Sequence, residues 1–504
     1  MAEPFATIGQ LLETRVGQFA EKEFLFSEAD HRVFTYRTFD EAVNRAAKLL
    51  LEAGIHKGER VSLFLTNSAE YLIFYFACFK LGAWAGPVNA HLKAEEVVFI
   101  VSNSEAAVIV TEQSLLPKVE VIREQLATVR HIILAEEVRA QQDEADSRLQ
   151  TPDPGLSPDD EAVIIYTSGT TGKPKGVLLT HGNLLTNARE IAEWLRLTEA
   201  DRSLVIMPLF HVNALMTTGL AALWAGGSCV LAPGFSASRH WQRVADYDVT
   251  YFGSVATMLS LLNQTYPQGI PAGCDSSRLR FALCGSAPVP LEVAKRYEEL
   301  FNCPVIEGYG LSESSCRSTF NPIDGRRKLG SIGLPIGNEV KIFDDDDNET
   351  PPGVVGEIVL RGANIMKGYY KDEEANQRAF RSGWFHTGDL GYRDADGFFT
   401  IVDRKSDMII RGGENIYPRE IDEVLYQHPQ VKDAATIGVA DALYGEEVKS
   451  FIVLREGESA TEEEIFAYCR KHLADFKCPK TVAFLDDIPK GPTGKLLKKR
   501  LREL

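Results

Sequence analysis

Over roughly the first 340 residues, short apolar runs alternate with stretches in which apolar positions recur at helical spacing. RVSLFLT (60–66) and AAVIVT (106–111) are apolar-rich runs of strand length and predict buried strands. YRTFDEAVNRAAKLLLEAG has helical spacing, with Thr38 or Asp40 as the expected cap and Gly54 as the stop. SLVIMP, SCVLAP and VTYFGSV predict further strands, with SASRHWQRVADYD a helix between the last two. RLRFALCGSAP reads as a strand running into a loop, and LEVAKRYEELF as the helix that follows. Such alternation implies largely parallel sheets with helices on both faces. Ligands on these sheets bind where the strands' carboxyl ends meet Gly-rich loops.

After Gly330 the texture changes. NEVKIFDDDDNETPPGVVGEIVLRG predicts two strands around an acidic, Pro-rich turn, and its aspartates lack calcium-loop spacing. GFFTIVDRKSDMIIRGGENI reads as another hairpin, ending at Gly412-Gly413. Helices (PREIDEVLYQHP, TEEEIFAYCRKHL) then alternate with strands (DAATIGV, KSFIVLRE), which makes a small α+β unit. The expected organisation is an α/β N-terminal domain, 1–403, of layered mostly parallel sheets with helices and a hairpin-rich subdomain, followed by a small C-terminal domain, 404–504.

The chain has 504 residues, enough for two or more domains, and its 44% apolar and 25% charged content is that of a globular protein. A formal net charge of −17 disfavours nucleic acid and anionic membranes as main partners. From Ser203 to Ser238 there is no Asp, Glu, Lys or Arg, but Pro208, His211, Asn213, Gly226, Gly227 and Pro233 interrupt the run. It is therefore expected to be core, with ALMTTGLAALWAGG a short buried helix, and not a membrane span. The eight cysteines form no CxxC, and the nearest pair is nine apart, which argues against zinc or a disulfide framework and fits a reducing cytoplasm. The opening MAEPFATIGQ carries no secretory leader pattern.

YTSGTTGKPKG (166–176) is the densest chemical signal: three glycines, several hydroxyls and two lysines between the strand-like runs AVIIY and GVLLT. It is not a Walker A loop, because only Thr170 and Thr171 separate Gly169 from Gly172 and Pro174 follows Lys173. With no helix behind it, it reads as a mobile phosphate-wrapping flap. GYGLSES (308–314) adds an aromatic, a hydroxyl and a carboxylate; GSAP (285–288) offers small residues for a flat ligand; WFHTGD (384–389) ends in a carboxylate; KGPTGK (490–495) presents a loop lysine. Together these predict a nucleoside triphosphate site. Neither GxSxG nor HExxH occurs.

These motifs, in this order over nearly the whole chain, resemble the adenylate-forming superfamily: acyl-CoA synthetases, peptide-synthetase adenylation domains and beetle luciferases. The resemblance implies that a carboxylate attacks the ATP α-phosphate to give an acyl adenylate, and that a thiol, usually of CoA, then displaces AMP. It implies that the C-terminal domain is a lid that turns between these half-reactions. Carried onto this sequence, Thr167, Ser168, Gly169, Thr170, Thr171 and Lys175 would cradle the β- and γ-phosphates. Glu313, with Thr167, would hold Mg²⁺, and Ser312 would contact the α-phosphate. Tyr309 would stack on adenine opposite Gly285, Ser286 and Ala287. Asp389 would take the ribose hydroxyls, aided by Arg404. Lys495 would bridge carboxylate and α-phosphate, and His211 would gate the carboxylate pocket. Gly412 and Gly413 would admit the pantetheine thiol. Ser406 stands where the family's hinge residue is often Asp or Lys.

Within that family the chain is most similar to carnitine/crotonobetaine-type and short- or medium-chain acyl-CoA ligases. FHVNA lacks the acid that amino-acid-activating relatives use for the α-ammonium, so a free small to medium carboxylic acid and CoA are the expected substrates, with ATP and Mg²⁺. The alternatives are a ligase for oxalate- or malonate-type dicarboxylates, a carrier-loading adenylation enzyme, a luciferase-like oxygenase and a decayed ATP sensor. Malonate-activating relatives carry Arg where Gly308 stands; Arg317, a few residues on, is expected to pair with a surface acid, the alternative being that it serves a second carboxylate on the substrate. Small residues at Gly308, Gly310 and Ala214 should leave room for the acid, while Met216 and Met258 should limit its length. A homodimer is the candidate assembly.

Overall fold

The computed structural model describes residues 5–140, 154–168, 174–286, 289–491 and 496–504. Gly169, Thr170, Thr171, Ala287, Lys495 and the side chain of Ser168 lie outside the described residues.

Two large sheets form most of the molecule. The nine-stranded one has Phe281–Cys284 between Tyr251–Ser254 and Val305–Tyr309, all three parallel. Its short strand Thr319–Phe320 returns antiparallel beside Val305–Tyr309. The seven-stranded sheet is parallel through Arg60–Phe64, Trp84–Pro87 and Glu161–Ser168, and becomes antiparallel at the edge formed by Pro174–Thr180 and Gly368–Tyr369. The parallel strands are buried along nearly their whole length, as the continuous apolar runs require.

The helix Ala69–Leu81 lies between the two sheets. It is apolar around most of its circumference, with Glu70 and Lys80 near its ends, and every one of its 13 residues is buried. Its Tyr71 hydroxyl donates to the carbonyl of Leu63 at 3.2 Å, and its Tyr75 hydroxyl donates to that of Leu209 at 3.0 Å. Leu63 is on a strand of the seven-stranded sheet and Leu209 on the loop after Arg202–Val205 of the nine-stranded one, so the helix ties the two layers into one core.

Three details differ from the expectations. The helix that follows Thr35 spans Tyr36–Glu52; Thr35 is its cap and Thr38 closes a reciprocal capping box, because the side chain nearest the first free amides is Thr35. The run after Asn213 begins as a π-helix, Ala214–Leu220, with one α-turn after it. There the Thr217 hydroxyl donates to the Asn213 carbonyl at 2.7 Å and Thr218 to that of Ala214 at 2.9 Å, which widens the turn. Finally, Phe399–Arg404 and Ile409–Arg411 do not pair with each other. The first completes the hairpin-rich sheet against Trp384–Arg393, and the second opens a separate C-terminal sheet, with Gly412-Gly413 as the turn into Glu414–Ile416.

That C-terminal sheet is built on the long hairpin Val431–Asp441 and Gly445–Leu454, covered by the helices Pro418–Tyr426 and Glu462–His472. Lys498 lies 3.7 Å from Asp403 and 3.5 Å from Asp407, and Arg502 also reaches Asp407. The basic tail thus folds back on the segment between the sheets. No described helix is long and apolar enough to cross a membrane.

Candidate active site

Thr167 and Lys175 face each other in register on the two antiparallel strands that flank the Gly-rich loop. Gly368–Tyr369 pairs with the outer of these strands, and Tyr369 lies in register with Val177. The Lys175 ammonium sits 5.0 Å over the Tyr369 ring, and the Tyr369 hydroxyl donates to Glu313 Oε1 at 2.9 Å. Tyr369 therefore joins the phosphate-loop lysine to the predicted metal carboxylate. It is a position the sequence reading missed; the KGYY run carried a signal only as an aromatic pair directly after a Gly.

Glu313 stands in a single 3₁₀ turn, Ser312–Ser314, just past the strand Val305–Tyr309. Burial pushes its carboxyl above the ordinary range, against the pull of Tyr369 and Arg404. It makes no ion pair with a described residue. Among the described residues no group of three or more His, Cys, Asp or Glu side chains could cage a metal. Glu313 and the Thr167 hydroxyl still fit Mg²⁺, which is usually held by one or two hard protein oxygens with the rest supplied by phosphates and water.

The second cluster is built from paired strands. Asp389 and Arg404 are in register, and Arg404 Nε donates to Asp389 Oδ1 at 2.8 Å. Tyr309 hydroxyl donates to Asp389 Oδ2 at 2.6 Å. Each carboxylate oxygen keeps a further lone pair, so a vicinal diol can still be accepted. Tyr309 ends the strand Val305–Tyr309 and Glu313 stands in the turn Ser312–Ser314 just after it, which brings the two clusters into one site. Ser312 begins the turn between Tyr309 and Glu313.

Facing them is the loop after Phe281–Cys284, where Ser286 adopts a left-handed backbone at φ 68° and its Oγ accepts from Asn213 Nδ2 at 3.4 Å. Asn213 thereby ties the Ser286 turn to the His211 segment. His211 packs its ring 4.4 Å from Phe210, and its Nε2 is sealed from solvent with no hydrogen-bond partner among the described residues. Burial alone lowers its pKa to about 4, so it meets a ligand as neutral imidazole. Gly412 and Gly413 have φ of 58° and 91° and are exposed at their turn; a β-carbon on Gly413 would meet nothing within 4 Å.

Two expectations about the acid pocket change. A β-carbon on Gly308 would lie 2.3 Å from the Phe320 ring, and one on Gly310 would lie 1.9 Å from the Cys316 carbonyl. These glycines make room for the protein itself and not for the acid. Arg317 does not pair with a surface acid: it is 2% exposed and forms no ion pair with any described residue.

The sequence matches the AMP-binding enzyme family over residues 12–370 and the AMP-binding enzyme C-terminal domain over 420–495. This chain belongs to the AMP-binding enzymes. It is 37% identical to a sulfoacetate–CoA ligase of Cupriavidus necator, over 99% of this chain and 98% of the relative. It is 34% identical to a crotonobetaine/carnitine–CoA ligase of Salmonella paratyphi B, over 98% of each. Its fold superposes on the crystal structure of the anthranilate–CoA ligase AuaEII in complex with anthranoyl-AMP with a TM-score of 0.91 at 28% identity, over 100% of this chain and 98% of that one. Within the family this AMP-binding enzyme falls in the acyl-CoA synthetase branch, the AMP-forming acid–thiol ligases that use a carboxylic acid, ATP and CoA.

Proposed function

We propose that the described clusters are the adenylation site of an acyl-CoA synthetase for small to medium carboxylic acids. The observation that carries this is the convergence of Lys175, Tyr369 and Glu313 with Tyr309, Asp389 and Arg404. One group suits polyphosphate and Mg²⁺; the other suits a nucleoside.

A carboxylate is already a nucleophile, so the site needs to neutralise charge on the phosphates and not to activate an attacking group. Thr167, Lys175 and the Gly-rich loop hold the β- and γ-phosphates, and Glu313 with Thr167 provides the oxygens for Mg²⁺, which shields phosphate charge when bound. Ser312 meets the α-phosphate and Asp389 the ribose. Tyr309 is anchored through its hydroxyl, which fixes its ring as one wall for adenine, with Gly285 and Ser286 on the other side. Neutral His211 offers its unpartnered nitrogen to the acid. Lys495 is assigned, by family resemblance, to the bridge between acid and α-phosphate. Gly412 and Gly413 are assigned to the thiol path, on a lid of residues 404–504.

All eight cysteines are free and six are buried, which supports a reducing compartment such as the cytoplasm. The test is a panel of fatty, aryl, dicarboxylic and amino acids given with ATP, Mg²⁺ and CoA, read as AMP and pyrophosphate release. Turnover with one of the first three classes is expected. Amino acids outrunning all of them would overturn the substrate assignment.

A further inference from the structure

The guanidinium of Arg317 is the most conspicuous buried group that the adenylation site leaves unused. Arg317 is 2% exposed, its Nε is sealed from solvent without a hydrogen-bond partner among the described residues, and no described carboxylate pairs with it. Buried charges in folded proteins are paired, because an uncompensated one costs far more than its desolvated neighbours return. Its face lies over the Phe320 ring, 5.3 Å away, which cannot satisfy its N–H donors.

The backbone of Arg317 is held firmly. Asn187, itself fully buried, accepts from the Arg317 amide at 3.1 Å and donates to its carbonyl at 2.7 Å, and Asn364 donates to the same carbonyl at 3.2 Å. The side chain runs against the loop after Phe281–Cys284: a β-carbon on Gly285 would lie 2.8 Å from Arg317 Nη2. The next residue, Ser286, is the one bonded to Asn213, two residues past His211. The guanidinium is thus preorganised at the carboxyl ends of the central strands, between the nucleotide-binding loop and the segment that gates the acid.

We propose that Arg317 is a specificity-determining residue that binds a second oxyanion on the acid, so that the preferred substrate is a short acid carrying a further carboxylate or sulfonate. This deepens the acyl-CoA synthetase reading and rests on it. Arginine presents paired N–H donors that match a carboxylate or sulfonate, and a neutral acyl tail would leave them unpaired.

The experiment compares matched acids, malonate, succinate and sulfoacetate against propionate and butyrate, as pyrophosphate release with ATP and Mg²⁺. In the native enzyme the better dianionic acid should exceed its neutral match by about 10²-fold or more in kcat/KM. In Arg317→Leu that ratio should collapse by a similar factor, mainly through KM, and Arg317→Lys should restore part of it. The two dianion types, carboxylate and sulfonate, separate which oxyanion fits best. The native protein gives a second readout if the leucine variant folds poorly. The preferred dianion should raise the melting temperature and its neutral match should not. A native enzyme that uses butyrate as well as succinate and sulfoacetate, or a ratio unmoved by Arg317→Leu, overturns the proposal. No pyrophosphate release from any acid would instead count against the ligase reading itself.

Discussion

At the scale of single residues, the site depends on a carboxylate whose charge is held in balance. Burial raises the pKa of Glu313, and the Tyr369 hydroxyl, donating to Oε1, lowers it again. Tyr369→Phe removes that donor and keeps the ring under Lys175. The pKa of Glu313 should then rise further. Because a metal ligand must be ionised, the acid limb of kcat/KM for ATP should move to higher pH, with a loss near neutrality of about 10-fold, the scale of one hydrogen bond to a charged group. A pH profile of pyrophosphate release checks this; an unmoved acid limb would separate Glu313 from metal binding. Glu313→Gln should abolish the limb and raise the Mg²⁺ requirement. Asp389→Asn tests the nucleoside side. It leaves the half-buried Arg404 without its anion, so the KM for ATP should rise and the melting temperature fall modestly, since solvent still reaches the guanidinium. Calorimetry beside ATP kinetics would show both.

At the scale of elements, the segment from Tyr309 to Arg317 turns back on itself after Val305–Tyr309, with Ser315 at φ 59° and Cys316 at φ 140°. This return is so tight that a β-carbon at Gly310 would overlap the Cys316 carbonyl. Gly310→Ala should therefore displace Tyr309, Glu313 and Arg317 together and abolish both half-reactions, with a clear drop in thermal stability. Gly413 is the opposite case. Its backbone is left-handed but its surroundings are open, so Gly413→Leu should cost only about 1–3 kcal/mol in backbone strain. It should spare acyl-adenylate formation and slow thioester formation from supplied adenylate. Measuring the two half-reactions separately decides it; equal slowing of both would remove Gly413 from the thiol path.

At the scale of the whole molecule, the C-terminal unit carries its own buried acid. Asp422, on the helix Pro418–Tyr426, has Oδ1 without a hydrogen-bond partner among the described residues, and burial lifts its pKa from 3.8 to about 8, with Lys498 pulling it down. An acid with a raised folded pKa stabilises below its unfolded value and loses that contribution as pH climbs through the folded one, here from about 4 to about 8. Asp422→Asn should flatten this fall, so the variant's melting temperature should drop less than the native protein's between pH 5 and pH 8. A parallel drop would show that Asp422 titrates normally. Continuous apolar runs such as AAVIVT, the βα alternation and the order of the Gly-rich loops were enough to establish parallel sheets, a second small unit and nucleotide chemistry, because strand burial and phosphate binding are local requirements written in consecutive residues. Chain position could not show that Gly368–Tyr369 would cross to the phosphate-loop strand and place Tyr369 on Glu313. Nor could it show that Phe320 and the Cys316 carbonyl would fill the space beside Gly308 and Gly310, or that Arg317 would be buried without an acid among the described residues. Those outcomes depend on which distant segments share a wall, and only tertiary packing decides that.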